Sequence, residues 1–456
     1  MTTSSPQMLG RELAHIVGEA AVLPGDTARY LSDETETRGV RGHSEAVVLP
    51  GTAREVGEVV AWCYAHDVPI VPRGGGTGYA GGAVPLGGVV ISLERLTKVR
   101  SFDPLLWRIE VEAGMRTAEL RRVVRESGLF FPPDPGAAES SQLGGNVATN
   151  AGGPHAFKYG VTGAWVTGLE AVVAPGSLVR VGGPLRKDVA GYDLKSLLIG
   201  SEGTLGVITA VWLRLIPAPE AALPVVGFYP SVRSGCAAIE NVLGSGIQPA
   251  ALEYLDGETV HAAEATFPGD VPEGSELMVI ADADGTLEQA TLLQSEVAAA
   301  LADDALAVDV PADPAALWRW REGVSHAVTA RRGGKVSEDI VVPLDRLGEA
   351  IERTLAIGAA HGLPACSWGH AGDGNLHSTF LVAPGDDEEL ERAERAAEEL
   401  FALAFELGGS ISGEHGIGLA KRGQLARQWA PAAVALHEAV KQAFDPKGLF
   451  NPGKKT

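Results

Sequence analysis

Cysteine and long apolar runs are scarce in this chain of 456 residues, and each shortage argues against a class of protein. The three cysteines form no C-x-x-C pair, so neither a disulfide framework nor a cysteine-bound zinc site is expected. No run of about 18 apolar residues occurs, so we expect no transmembrane helix. The N-terminus lacks a basic segment followed by an apolar run, which argues against a signal peptide. We therefore expect a cytoplasmic protein, peripheral to the inner membrane only through a partner.

Basic residues are outnumbered as well. Lys and Arg total 37 against 58 Asp and Glu, which gives a formal net charge of −21. A surface this acidic repels phosphate backbones, and no stripe of basic residues compensates for it, so nucleic acid is not an expected partner. Glycine, in contrast, is abundant, and the 58 glycines stand in clusters without a collagen period. Such clusters indicate backbone that approaches something closely.

The apolar pattern predicts three regions along the chain. Residues 1–40 form a helical N-terminal arm, residues 41–219 a first domain and residues 220–456 a second, with the break at Pro217–Ala218–Pro219. The periodicity predicts strands and helices within the two domains: strands at 46–50, 68–72, 89–93, 207–216, 225–228 and 276–281, and helices at 287–303 and 344–361.

Two local signals add detail to the first domain. Thr52 and Glu55 are spaced as a capping box at the start of a helix, so the first domain opens with a β-α-β unit. Alternation from 169 to 181 around Pro175 and Gly176 predicts a hairpin.

Three glycine clusters occur in the first domain, at 73–82, 132–153 and 200–208. The first contains a formal G-x-G-x-x-G, but the chain continues into another strand and not into a helix, so a Rossmann fingerprint is excluded by its context. A loop of bare amides between two strands suits a pyrophosphate held by backbone N–H groups. Three such loops indicate one extended ligand of dinucleotide size.

Together with the segment 187–193, these clusters resemble the FAD-binding domain of the vanillyl-alcohol oxidase / p-cresol methylhydroxylase (PCMH) superfamily. The branch that resembles this chain most contains the flavoprotein component of glycolate oxidase (its D chain), D-lactate dehydrogenase and D-2-hydroxyglutarate dehydrogenase. The resemblance implies an α+β protein. A two-subdomain FAD-binding domain of the PCMH type is followed by an α+β substrate or cap domain with an antiparallel sheet and a C-terminal helical segment.

The same resemblance implies which residues hold FAD. Those expected at the pyrophosphate are Arg73, Gly74, Gly75, Gly76, Thr77 and Gly78. Those expected along the flavin and adenosine are Pro133, Ser141, Gly145, Asn146, Thr149, Gly152, Glu202, Gly206 and Ile208. Covalent members of the superfamily often carry a histidine where Thr77 stands here, so FAD is expected to be non-covalent.

Histidines mark the second domain. His370 and His377 are seven residues apart, which would put them on opposite faces of one strand, but the Gly-Asp-Gly between them predicts a turn that folds two strands together. With a Glu-His pair at Glu414 and His415, two imidazoles and a carboxylate make the three-ligand set of a catalytic divalent metal. The resemblance implies His370, His377 and Glu414 as ligands and His415 as the catalytic base. Zinc is expected first, with manganese and iron as alternatives.

Substrate binding calls for a cation that meets a carboxylate. The resemblance implies that Arg321 and Asn375 orient this carboxylate, and a planar guanidinium suits the task. The alternative for Arg321 is an ordinary surface arginine on a helix. Lys335 is a weaker candidate, because Ser337 stands where the hydroxyglutarate enzymes carry their lysine. This departure favours smaller acids.

The sequence thus predicts an FAD- and metal-dependent dehydrogenase. It would oxidise a D-2-hydroxy acid to the 2-oxo acid by hydride transfer to flavin N5, with glycolate or D-lactate favoured and D-2-hydroxyglutarate as an alternative. A quinone, a cytochrome, an electron-transfer protein or partner subunits would accept the electrons, and a homodimer is one expected assembly. Two rival functions remain: a zinc-dependent hydrolase, which leaves the glycine clusters without a role, and a non-catalytic flavoprotein electron-transfer subunit.

Overall fold

The computed structural model describes residues 6–35 and 40–455, and the chain divides into two units. The first unit combines three stretches of chain: Met1–Ala151, Val161–Ala218 and Glu414–Thr456. The second combines two: Gly152–Gly160 and Pro219–Gly413. Each predicted domain is one continuous stretch of chain, whereas each unit combines stretches that are separate in the sequence. The two divisions are of different kinds, so the predicted boundaries stay a prediction.

The first unit contains a β-α-β element near its N-terminal end. β2 (Ala46–Val48), α2 (Ala53–Ala65) and β3 (Ile70–Arg73) lead to β4 (Val89–Ser92), and both β2 and β3 pair with β4 in parallel. β1 (Val22–Pro24) pairs antiparallel with β2, which gives a four-stranded sheet in the order β1-β2-β4-β3. Of the arm predicted for 1–40, residues 1–5 and 36–39 lie outside the described residues.

The start of α2 differs in one detail from the predicted capping box. The Thr52 hydroxyl accepts a hydrogen bond from the Glu55 N–H at 3.2 Å, as expected. The Glu55 carboxylate, however, accepts from the Gly51 N–H at 2.7 Å and not from that of Thr52. The helix start is therefore confirmed, whereas the reciprocal bond comes from Gly51, one residue before the predicted donor.

A second sheet completes this unit. It is antiparallel, has the order β5-β6-β10-β8-β9, and contains the predicted hairpin as β8 and β9. Its strands are β5 (Val99–Asp103), β6 (Arg108–Glu112), β8 (Val166–Val173), β9 (Ser177–Gly182) and β10 (Val207–Arg214). The other elements of the unit are α1 (Pro6–Val17), α3 (Thr117–Arg125), β7 (Leu129–Phe130), α4 (Leu143–Thr149), α6 (Leu194–Leu198), β11 (Ile216–Pro217), α13 (Leu425–Gln428) and α14 (Pro431–Phe444).

The second unit is built on a seven-stranded antiparallel sheet in the order β15-β12-β14-β13-β17-β18-β16. Its strands are β12 (Ala221–Tyr229), β13 (Ala251–Asp256), β14 (Leu277–Gly285), β15 (Ala307–Asp309), β16 (Gly334–Val341), β17 (Ala365–His370) and β18 (Asn375–Val382). Its helices are α5 (Ala156–Tyr159), α7 (Val232–Gly244), α8 (Gly257–Ala263), α9 (Leu287–Ala300), α10 (Pro314–Ala330), α11 (Leu347–Ala360) and α12 (Asp387–Glu406). Among the described residues, no helix is long and apolar enough to cross a bilayer.

Helix α10 packs its apolar side into the core of this unit. Leu317, Val324 and Val328 on α10 are fully buried in one cluster with Leu255 of β13 and Trp368 of β17. Burying such side chains contributes about 1.5–3 kcal/mol each. The apolar contacts fix the helix over one face of the sheet, and with it the polar side chains that α10 carries.

Asp256 ends β13 as a fully buried carboxylate. It caps α8 by accepting the Thr259 N–H at 2.8 Å, and it accepts the Ser367 N–H at 2.8 Å. Burial outweighs these hydrogen bonds and raises the pKa of Asp256 to about 7.

The raised pKa of Asp256 predicts a specific dependence of stability on pH. Between about pH 4 and pH 7 the unfolded chain releases this proton while the folded chain keeps it, so the contribution of Asp256 to stability falls as pH rises. We expect the melting temperature of the unaltered protein, relative to that of Asp256→Asn, to drop by several degrees across this range. Asp386→Asn, at the exposed cap of α12, serves as the control and should show a constant difference. A constant difference for Asp256→Asn as well would contradict the prediction.

Candidate active site

The predicted turn brings the two histidines of the second unit together. In the β17–β18 hairpin His370 lies opposite Asn375 and Trp368 lies opposite His377, so both imidazoles stand on one face. Their ring centroids are 5.3 Å apart with the planes nearly perpendicular. Gly374 in the turn has φ +74°, and a Cβ there would lie 2.1 Å from the Val342 carbonyl oxygen, so the turn requires glycine. Both histidines are buried.

Glu253 is a residue of this site that the sequence analysis missed. It lies on β13 opposite His370, is fully buried, and uses both carboxylate oxygens. One oxygen accepts from His370 Nδ1 at 2.6 Å and the other from Arg321 Nη2 at 2.5 Å. Burial acts to raise the pKa of Glu253, but His370 and Arg321 together hold it below its ordinary value. The available signal was an acidic residue inside a strand, between the apolar residues Leu252 and Tyr254.

The alternative for Arg321, a solvent-exposed arginine, is wrong. This side chain on α10 is only 8% exposed, and its guanidinium is ion-paired with Glu253. Among the described residues, its buried Nε has no hydrogen-bond partner. A buried N–H without an acceptor is costly, which fits a ligand oxygen at this position.

Lys335 lies on β16, where it is also buried. Its ammonium donates to the carbonyl oxygen and the hydroxyl of Ser325 on α10, and it stands 5.5 Å from the ring centroid of Trp368. These contacts place Lys335 in the packing between α10 and the sheet.

Asn375 connects the histidine hairpin to the end of the second unit. Its Nδ2 donates to the Ile340 carbonyl at 3.0 Å, and a Cβ on Gly413 would lie 2.6 Å from its amide group. The Gly413 N–H in turn donates to Asp339 on β16 at 2.7 Å. Asp339 thus fixes the backbone that leads directly into Glu414.

Glu414 and His415 begin the last stretch of the first unit. The His415 ring lies 4.8 Å from that of Tyr79, which lies within the first glycine cluster. Glu414 Oε1 is 3.9 Å from His415 Nε2, and both side chains are largely buried. Tyr79 was not predicted as a site residue, because the aromatic contact joins segments more than 300 positions apart.

The first glycine loop leaves its backbone donors available. Within the described ranges, the N–H groups of Gly74–Gly78 donate to no protein acceptor. Gly75 is packed so closely that a Cβ would lie 2.2 Å from the Ser140 carbonyl oxygen, and a Cβ on Gly74 would lie 3.3 Å from the Cα of Gly145. A row of free amides in a glycine loop fits the pyrophosphate of a dinucleotide.

Arg73 directly precedes this loop, and its guanidinium lies so close to Gly76 that a Cβ there would be 2.1 Å from Nη2. Its buried guanidinium donates to the carbonyl oxygens of Ser32 and Arg29, both at 2.8 Å. Burial lowers the pKa of Arg73. These hydrogen bonds tie Arg73, at the start of the loop, to the backbone of residues 29–32.

Several other residues predicted to contact FAD belong to the second glycine cluster, and most of them are hydrogen-bonded to protein groups nearby. The hydroxyls of Ser141 and Thr117 are 2.8 Å apart, and Asn146 Nδ2 donates to Thr117 at 2.7 Å. Thr149 donates back to the carbonyl of Gly145 at 3.2 Å, and the Pro133 carbonyl accepts from Arg121. Gly152 belongs to the second unit.

The third cluster anchors the C-terminal stretch of the first unit. The Glu202 carboxylate accepts the N–H groups of Ile417 at 2.9 Å and Gly418 at 2.7 Å. Asn451 donates to the Glu202 carbonyl at 2.7 Å. Gly206 directly precedes β10 and Ile208 lies in it. A Cβ on Gly206, at φ +157°, would lie 2.7 Å from the Val172 carbonyl oxygen. Glu202 thus has a structural role besides its predicted place along FAD.

Comparisons with known proteins agree with the two halves of the predicted fold. The family described as "FAD linked oxidases, C-terminal domain" matches residues 218–455, and the one described as "FAD binding domain" matches residues 44–182. Glycolate oxidase subunit GlcD of Bacillus subtilis is 35% identical over 448 residues, covering 97% of this chain and 95% of its own. D-lactate dehydrogenase of Anaerostipes hadrus is 35% identical over 471 residues, covering 99% and 97%.

A solved structure shows the same fold. The crystal structure of p-cresol methylhydroxylase with substrate bound superposes with a TM-score of 0.82 at 17% identity, covering 99% of this chain and 97% of that one. The resemblance stated from the glycine clusters and the α+β fold class with its PCMH-type FAD-binding domain are therefore confirmed.

The close packing of Gly75 predicts a loss of flavin binding in Gly75→Ala. The methyl group would force the loop away from Ser140, and overpacking of this kind costs about 1–3 kcal/mol. We expect FAD affinity, measured by titrating flavin-free protein, to fall by about tenfold or more. Gly10→Ala, on α1 and outside the glycine clusters, is the control, because nothing lies within 4 Å of a Cβ there. Equal affinities for both variants would contradict the assignment of this loop.

Proposed function

The chain belongs to the family of FAD-linked oxidases and is an FAD-dependent oxidoreductase, and from this we propose that it oxidises a D-2-hydroxy acid to the 2-oxo acid. The observation that carries the proposal is the buried histidine pair beside Arg321 in a chain with an FAD-binding domain. Relatives named for glycolate and D-lactate support these two acids ahead of D-2-hydroxyglutarate. The ammonium of Lys335 donates to Ser325, which makes Lys335 a weaker candidate for binding a second carboxylate. This contact also favours a small acid with one carboxylate.

FAD, when bound, supplies the hydride acceptor. We propose that the amides of Gly74–Gly78 hold its pyrophosphate, and that Ser141, Gly145, Asn146, Thr149, Gly206 and Ile208 border the rest of the cofactor. Thr77 cannot form a histidyl link to flavin, so the cofactor is held without a covalent bond. A quinone, a cytochrome, an electron-transfer protein or a partner subunit would take up the electrons.

We propose His370, His377 and Glu414 as ligands of a divalent metal, with zinc ahead of manganese and iron. Two imidazoles and a carboxylate with an open position suit such an ion, which when bound lowers the pKa of a hydroxyl group. The buried pair of imidazoles supports two of the three ligands. Glu414 directly follows Gly413, and the backbone of Gly413 lies against Asn375, which belongs to the β17–β18 hairpin that carries both histidines.

The remaining residues position the acid and move its proton. The unpaired Nε of Arg321 and the amide of Asn375 donate to the carboxylate. His415 accepts the hydroxyl proton, and the Tyr79 ring at 4.8 Å limits the orientations of its imidazole. With carboxylate and hydroxyl both fixed, only one hydrogen at C2 can face the hydride acceptor, so the enzyme distinguishes the two hands of the substrate.

This proposal predicts strict stereochemistry. Under anaerobic conditions, D-lactate or glycolate should bleach the flavin absorbance of the purified protein within seconds to minutes, whereas L-lactate should leave it nearly unchanged. D-2-hydroxyglutarate is included to rank the larger acid. Equal bleaching by both lactates would overturn the geometry. A flavin that no hydroxy acid reduces would favour the non-catalytic electron-transfer subunit.

The assignment of the base predicts separate effects for Glu414 and His415. In single turnover, His415→Ala should reduce its flavin about 10²–10⁴-fold more slowly while keeping FAD and metal, since a positioned base contributes this much. Glu414→Ala should lose bound metal as well.

His261→Ala, at an exposed position of α8, is the matched control and should change neither quantity. A metal-free His415→Ala protein, or one with a nearly normal rate of flavin reduction, would show that His415 is not the base.

A further inference from the structure

We propose that Glu253 is the positioning residue of the histidine pair, holding the His370 ring and the Arg321 guanidinium with one carboxylate. The observations are the two short contacts, 2.6 Å to His370 Nδ1 and 2.5 Å to Arg321 Nη2, and the complete burial of Glu253. The inference rests on the proposed function in one respect only, namely that His370 binds a divalent metal.

The contact with Glu253 determines which nitrogen of His370 carries the proton. A carboxylate accepts hydrogen bonds, so Nδ1 must donate, and the neutral imidazole then has its lone pair on Nε2. A histidine that binds a metal through one nitrogen almost always donates from the other to a carboxylate, a carbonyl or water. Glu253 therefore prepares Nε2 of His370 as a ligand atom.

The geometry differs from that of an ordinary structural ion pair. An arginine and a carboxylate left to themselves often form two parallel hydrogen bonds. Here Arg321 receives only one oxygen of Glu253, and its Nε remains without a partner among the described residues. The second oxygen is given to His370, so the carboxylate is placed to hold the imidazole as well as the guanidinium.

Arg321 makes this arrangement tolerable in the interior. An isolated buried carboxylate is expensive, and removing one partner of a buried ion pair leaves the other uncompensated. The register of β13 and β17 sets Glu253 beside His370, and α10 supplies Arg321 from above. Strand register, helix packing and charge balance thus converge on one orientation of the His370 ring.

The first test measures zinc affinity, with no turnover involved. Zinc is titrated into FAD-loaded, metal-stripped protein against a chromophoric chelator. In Glu253→Gln an amide presents a donor to one of the two partners, and we expect zinc affinity to fall about 10- to 100-fold, the usual effect of losing such an outer partner. Asp256→Asn is the matched control. Asp256 is also a fully buried carboxylate on β13, but it accepts hydrogen bonds from the N–H groups of Thr259 and Ser367 and not from His370 or Arg321. It should keep the affinity of the unaltered protein.

A second variant covers the case in which Glu253→Gln does not fold. Glu253→Leu combined with Arg321→Met removes both buried charges together, so no unpaired ion is left in the interior. This double variant should fold and show a similar loss of zinc affinity. Unchanged affinity in either folded variant overturns the role of Glu253 but leaves the proposed metal site intact. An unaltered protein that binds no zinc overturns both.

The tautomer of His370 gives an independent test in the unaltered protein. Long-range ¹H–¹⁵N spectra of histidine-labelled, metal-free protein distinguish a proton on Nδ1 from one on Nε2, and the signals are assigned by their loss in His370→Gln. We expect the proton on Nδ1. A proton found on Nε2 would overturn the inference whatever the variants do.

Discussion

Burying the carboxylate of Glu253 costs free energy unless its charge and both its oxygens are matched, and two elements of the second unit, β17 and α10, meet this requirement. His370 and Arg321 match the two oxygens. The first is held by strand pairing and the second by the apolar packing of α10. Because each partner comes from a different element, the carboxylate ties sheet register and helix position to the orientation of one imidazole.

Local signals in the sequence were sufficient for elements whose contacts are local. The Gly-Asp-Gly turn predicted that His370 and His377 would meet, because a turn of this kind leaves few alternatives for the flanking strands. Alternation around Pro175 predicted a hairpin for the same reason. The capping box at Thr52 was correct at the helix start but not in its second bond, since Gly51 competes for the Glu55 carboxylate.

Contacts between distant segments could not be predicted in this way. Glu253 lies 117 positions before His370, and an acidic residue in an apolar strand does not reveal its partner. Glu202 and Asn451 are separated by 249 positions, yet their hydrogen bond ties the C-terminal stretch of the first unit to the third glycine cluster. Periodicity reports which face of an element is buried, whereas the partner on that face depends on how the elements are arranged.

The pairing of Arg321 with Glu253 also bears on what Arg321 would contribute to binding an acid in the proposed site. Its positive charge is already balanced inside the protein, so the net attraction for an anion is small. What remains is direction: a buried Nε–H without an acceptor, held in a plane that the Glu253 contact fixes. A lysine has no planar fork and could not divide its donors in this geometry. In the proposed site, arginine at this position would therefore select a carboxylate by the placement of a hydrogen bond more than by charge.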